Sequence, residues 1–206
     1  ISAQSWSFSY VDLGAKPTLA VFDSQTVHMA YMYEVTSGWL NHAELSPSGW
    51  DISTVDEGYY YGPLDIGLKS DETPVIALHD HTAEDQVIYQ RIGDEWTEEF
   101  TPHPNHDGWD NSLHITQNDE LYLVSTDPSS QNGVEYHYQT DGDWITERLV
   151  GAGNVFYGNG TALVMRGDTM PLVAFYRNSE QELVYAEQHG FNWEVEVVET
   201  GGDVGR

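Results

Sequence analysis

The sequence contains no cysteine, which excludes disulfides, thiolate zinc sites and thiol nucleophiles together. Positive charge is nearly as scarce: seven lysines and arginines stand against thirty-four aspartates and glutamates, a formal charge of −27 at pH 7. Such a chain repels a nucleic-acid backbone and an anionic membrane surface, so neither is an expected partner. No run approaches the roughly 18 apolar residues of a membrane-spanning helix. Walker-type glycine loops, a Gly-x-Ser-x-Gly elbow and a His-Glu-x-x-His pair are also missing, which removes the nucleotide, hydrolase and metalloprotease readings that those motifs carry. The chain opens at Ile1 with neither an initiator methionine nor a basic-then-apolar leader. That is the pattern of a processed or trimmed product, and an extracellular or periplasmic location is the expectation drawn from it. The acidic surface also suits salty water, where carboxylates keep a protein hydrated.

What is present is a repeat. Trp50, Trp96, Trp144 and Trp193 fall 46, 48 and 49 residues apart, each just after a short turn. Parallel ladders run through His42, Tyr89, Tyr136 and Tyr185, through Ala30, Ala77, Val124 and Ala174, and through Leu19, Ile66, Leu113 and Leu163. Within each repeat the apolar residues alternate over short runs broken by Gly, Pro, Asn, Asp and Ser, the signature of β-strands. Four strands, a to d from the inside outward, recur every 40 to 50 residues, as they do in a β-propeller. The expected fold is therefore all-β, a propeller of four four-stranded blades of about 48 residues. The boundaries read 15–58, 59–106, 107–154 and 155–206, with 1–14 as an outer strand of a preceding blade. That outer strand is inferred from the match of Trp6 to Gly14 with Trp50 to Gly58. Five d strands against four sets of a, b and c do not close a ring. A section of a larger ring is expected, completed by a second propeller fragment or by a homo-oligomer.

The segments VHMAYMY (27–33), PVIALHD (74–80), PLVAFYR (171–177), LVYAE (183–187), VDEG (55–58) and ETGGDVG (199–205) carry a resemblance. They are similar to the repeats of secreted bacterial β-propellers of the sialidase-like superfamily. The third repeat departs from that pattern with LYLVSTD (121–127). The Asp-box turn, Ser-x-Asp-x-Gly-x-x-Trp, is not reproduced before any of the four tryptophans, and five scattered arginines assemble no arginine triad. The resemblance thus implies a fold and little about activity.

In a propeller, the turns leaving strand b and the connections from strand d to the next strand a share one rim. In the second repeat, that rim receives His79, Asp80 and His81 from the first kind of loop, and His103, His106 and Asp107 from the second. Imidazoles beside carboxylates suit a divalent metal ion where cysteine is absent, with His81, His103 and His106 as candidate ligands. An acid/base site and plain loop packing are the competing readings, and no other cofactor is expected. Tyr59, Tyr60 and Tyr61, then Trp109, then Phe156 and Tyr157 occupy the same connection in successive repeats. Flat rings beside polar side chains suit a sugar, although blade packing explains them equally well. The candidate ligand surface is Tyr61, His79, His81, His103, Trp109 and Tyr157. The expected function is a recognition module for a glycan or other polar ligand. A polysaccharide lyase or glycoside hydrolase and a structural propeller are the alternatives. Because Arg177 is the one cation read near this rim, a lyase acting on an acidic polysaccharide is disfavoured. Carboxylates are too abundant for any pair to be singled out as catalytic.

Overall fold

The computed structural model describes residues 8–33, 38–100, 109–127, 133–150, 160–177 and 180–201. Sixteen strands and no helix occur among them, in four antiparallel four-stranded sheets. Blade one holds β1 (Ala15–Val21), β2 (Val27–Met32), β3 (Gly38–Ser46) and β4 (Gly49–Gly58). Blade two holds β5 (Tyr60–Leu68), β6 (Pro74–Asp80), β7 (Asp85–Ile92) and β8 (Glu95–Phe100). Blade three holds β9 (Asn111–Ile115), β10 (Leu121–Asp127), β11 (Gly133–Thr140) and β12 (Asp143–Val150). Blade four holds β13 (Thr161–Arg166), β14 (Met170–Arg177), β15 (Glu182–His189) and β16 (Asn192–Thr200). Each sheet is a simple meander in chain order, so this is a four-blade propeller arrangement.

The hairpins follow from turn chemistry. Thr140 pairs with Asp143, which leaves Asp141 and Gly142 as a two-residue loop. Both have positive φ, 54° and 88°, the mirror-image turn whose twist matches that of the flanking strands. The core is divided into three layers between blades. Ala30, Met32, Leu40, Ile66 and Ile76 fill the layer between blades one and two. Val75, Ala77, Ile88, Leu113 and Leu123 fill the next, and Val124, Val134, Leu163, Val173 and Phe175 the third. In blade two, strand β6 is covered on both faces, which is why Pro74 to His79 are all buried.

Polar groups tie the inner strands across the layers. Asp65 on β5 accepts the backbone N–H of Leu113 at 2.8 Å, and Ser112 on β9 accepts that of Leu163 at 3.0 Å. Asn111 donates from Nδ2 to the Pro63 carbonyl at 3.2 Å. Blade one packs on two, two on three and three on four, and no comparable packing joins blade four to blade one among the described residues.

The structure amends three sequence readings. Ala30, Val124 and Ala174 lie opposite His42, Tyr136 and Tyr185, but Ala77 lies opposite Ile88 and not Tyr89. The strand-c ladder position of blade two is therefore Ile88. Tyr89 turns to the other face, where its hydroxyl meets that of Tyr60 at 2.9 Å. Tyr89 is seven residues from Trp96, whereas its supposed equivalents are eight from theirs, and one residue of slip in a period-two strand changes the face. In the second repeat, turn residues and apolar alternation mark the first strand only at DIGLK (65–69), whereas β5 begins at Tyr60, its pairing interrupted by an irregularity between Tyr61 and Asp65. Residues 8–14 form no strand, and Trp6 lies outside the described residues. With no strand c beside it, this segment instead crosses Tyr31, whose hydroxyl donates to Asp12 at 2.8 Å.

Candidate functional site

The upper rim between blades two and three is built by the end of β6, the turn after it, and the connections at Tyr59 and Trp109. Asp80 holds the turn by accepting the backbone N–H groups of Thr82 and Ala83 at 2.7 and 3.3 Å. The His81 backbone N–H donates to the Tyr59 carbonyl at 2.8 Å, which fixes the turn to the start of β5. These bonds place four rings together. Tyr59 meets His81 edge-on at 4.6 Å, and Trp109 of blade three stacks on His79 at 5.3 Å with 29° between planes. His81 stands at 87° to Trp109, with centroids 6.2 Å apart. His79 is 1% exposed, while Tyr59, His81 and Trp109 are half-buried.

Close backbone approach is needed here. Gly62 has φ of 79°, and a Cβ on it would lie 2.4 Å from the Trp109 carbonyl oxygen, so only glycine passes at this point. On the inner side, Lys16 of blade one donates from Nζ to the Gly62 carbonyl at 2.9 Å. Asp110, next to Trp109, accepts the Gly160 backbone N–H of blade four at 3.0 Å. Burial pushes the Asp110 carboxyl up to about 6, opposed by its bond to Gly160 and by the charge of Lys16. A carboxyl raised in the fold makes ionisation costly, so its stabilising effect is present in acid and is lost as pH rises from about 4 through about 6. Asp110→Asn is accordingly expected to gain stability at pH 7.5 relative to the parent, by up to about 3 kcal/mol, with the gain gone at pH 4. Urea denaturation at the two pH values measures this, and an equal effect at both would refute it.

Of the residues predicted for the ligand surface, His79, His81 and Trp109 are brought together. His79 is a correction: strand b is buried on both faces, so this imidazole backs the cluster and offers no surface to a ligand. Tyr61 pairs with His79 through the backbone. His103, His106 and Tyr157 lie outside the described residues, and with them the metal set of His81, His103 and His106. Among the described residues, no group of three or more His, Asp or Glu is placed to hold a metal ion. Tyr60 belongs to blade packing, its hydroxyl bonded to Asp56 and Tyr89. Asp110 was missed by sequence reasoning. Its one signal is a carboxylate directly after the connection tryptophan, weak among thirty-four acidic residues.

At the opposite rim a cleft of ≈ 360 Å³ lies between blades one and two, with His28, Glu44, Glu72 and Arg91 in its walls. His28 Nδ1 and His42 Nε2 share a hydrogen bond of 2.9 Å, and His28 Nε2 lies 3.5 Å from Glu72. Burial, helped by His28 and Arg91, pulls His42 down to about 3, so its ring is neutral near pH 7. Arg91 is held by Glu44 at 3.3 Å.

No protein-family model and no curated protein matches the chain. Solved structures match it across most of its length. A protein of unknown function from Dyadobacter fermentans aligns with a TM-score of 0.65 at 10% identity, over 88% of this chain and 68% of that one. An ulvan lyase of a polysaccharide lyase family, bound to a GlcA–Rha saccharide, aligns at 0.62 and 10%, over 93% and 59%. Aleuria aurantia lectin with α-methyl-L-fucoside aligns at 0.63 and 8%, over 92% and 65%. The chain thus spans from 59% to 68% of the length of these structures. At such identities the likeness is one of fold.

Proposed function

We propose that this chain is the recognition part of an extracellular or periplasmic β-propeller that binds a neutral or cationic glycan on its upper rim. The observation that carries the reading is the pair of half-buried rings, His81 and Trp109, set at 87° to one another and backed by buried His79 and by Tyr59. One ring face stacks on the apolar side of a pyranose, while the second ring, nearly perpendicular to it, bounds the site on one side. Blade packing fixes both rings before any ligand arrives, which reduces the ordering cost of binding. A charge of −27 opposes polyanions, hence the preference for neutral or cationic sugars. That aligned structures include a lectin with a fucoside and a lyase with a saccharide adds support.

The second reading, a polysaccharide-degrading enzyme, draws on Asp110, whose carboxyl at about 6 is poised for proton transfer. It is weaker because that carboxylate is buried and bonded to Gly160, and Lys16 is bonded to Gly62. The test is retention on a glycan array. His81→Ala is expected to weaken binding of the retained glycans at least about tenfold, with the melting temperature nearly unchanged. Retention equal to the parent would remove the site from the reading, and product release from any glycan would favour the enzyme.

A further inference from the structure

The inner-strand position that faces the preceding blade is covered in blades two, three and four and uncovered in blade one. Ile66, Leu113 and Leu163 are 5%, 8% and 8% exposed, while their equivalent Leu19 is 60% exposed. At the other end, the second-strand positions facing the following blade are fully buried in the first three blades, at Ala30, Ala77 and Val124, while their fourth-blade equivalent Ala174 is only half-buried and Val164 on the neighbouring inner strand is 53% exposed. The polar framework stops at the same two places. Trp144 donates its indole N–H to Glu99 of the preceding blade at 2.8 Å, and Gln139 adds a bond of 3.2 Å to the same oxygen. One blade on, Trp193 and Gln188 repeat both contacts to Glu147 at 3.2 and 3.0 Å. Each acceptor stands three residues after its own blade's tryptophan. By that rule Glu196 is the next acceptor, and it is exposed with no partner among the described residues. Trp50 is the corresponding donor at the other end, and its indole likewise has none. The layer between blades one and two breaks the rule in a compensated way: Ser53 stands where the acceptor belongs, Arg91 replaces the glutamine, and Arg91 bonds Glu44 instead.

We infer that these two uncovered faces are the ends of one interface, and that their occupant is a two-bladed unit of this same repeat. Its first blade sets a tryptophan and a glutamine on Glu196, and its second presents a carboxylate to Trp50. The size follows from the aligned structures. The aligned 88% to 93% of this chain accounts for 59% to 68% of those chains, which leaves about two further blades of this length. A whole second copy brings four blades, twice what the gap admits. The faces are apolar and strand-rich, and such surfaces are normally covered.

The experiment extends the full chain by a second copy of its own residues 101–201 placed after Thr200, so that the added blades carry the Trp144, Gln139 and Glu196 positions. The extended chain is expected to run as a monomer by light scattering and to melt at least about 10 °C above the parent. Glu196→Lys at the original position should lower the melting temperature of the extended chain by several degrees and leave that of the parent unchanged. An unchanged melting temperature on extension, or an equal response to Glu196→Lys in both proteins, would overturn the inference. So would a parent dimer that Glu196→Lys dissociates, since the occupant would then be a second copy.

Discussion

Lowering the pH from 7.5 to 5 is expected to cost the protein about 2 kcal/mol of stability through His42 alone. The unfolded imidazole takes up a proton near 6.5, whereas the folded one resists until about 3. Between those values the unfolded state binds more protons, so the contribution is complete above about 6.5 and is lost progressively as pH falls toward 3. The physical cause is first the burial of the ring, then the neighbouring His28 and Arg91. Trp96 closes the remaining side, edge-on at 5.2 Å. His42→Gln keeps a polar group at the site without a titrating one. The difference in unfolding free energy between pH 7.5 and pH 5 should therefore shrink by about 2 kcal/mol in the variant, whatever its absolute stability. Asp110 acts in the opposite direction with pH but does so equally in both proteins, so it cancels in the comparison. Parallel pH profiles for parent and variant would show that His42 is not held neutral by the fold.

Asp65→Ala is expected to destabilise the protein by about 2 to 4 kcal/mol, because it leaves a buried backbone N–H unpaired. The carboxylate accepts Leu113 N–H at 2.8 Å from Oδ2, and Ile66 N–H and the Thr18 hydroxyl at 2.9 and 3.4 Å from Oδ1. It thereby joins blades one, two and three at their inner strands. Burial raises its pKa, and the two backbone bonds pull the other way. Asn at this position keeps one carbonyl oxygen, so Asp65→Asn should lie between the parent and the alanine variant. A shift in the urea midpoint at constant slope would identify a change in stability alone. A loss under about 0.5 kcal/mol for Asp65→Ala would mean that water satisfies the Leu113 N–H and that the link is dispensable.

The blades were legible because strand alternation and turn residues act locally. Pro74–Asp80 and Met170–Arg177 emerge as equivalent second strands from the sequence and from the structure alike. Layer contacts were less so. That His79 lies on a doubly covered strand depends on blade three bringing Trp109 over it, and no pattern within blade two announces this. The slip at Ile88 and Tyr89 was hidden for a related reason: two adjacent apolar residues satisfy the same ladder, and only pairing with Ala77 chooses between them. Asp110 acquires its raised pKa from burial between blades, against the opposing pull of Gly160 in blade four and Lys16 in blade one, and all three depend on residues distant in the chain.

The most direct test of glycan recognition at the rim is a nitrogen–proton spectrum of the protein titrated with a panel of neutral and cationic oligosaccharides. Seven tryptophans give seven indole signals to follow. The account predicts that one of the sugars moves the Trp109 signal while those of Trp96, Trp144 and Trp193, fixed between blades, stay in place. No movement at Trp109 with any sugar up to about 10 mM, a concentration that reveals even weak lectin-type affinity, would contradict it.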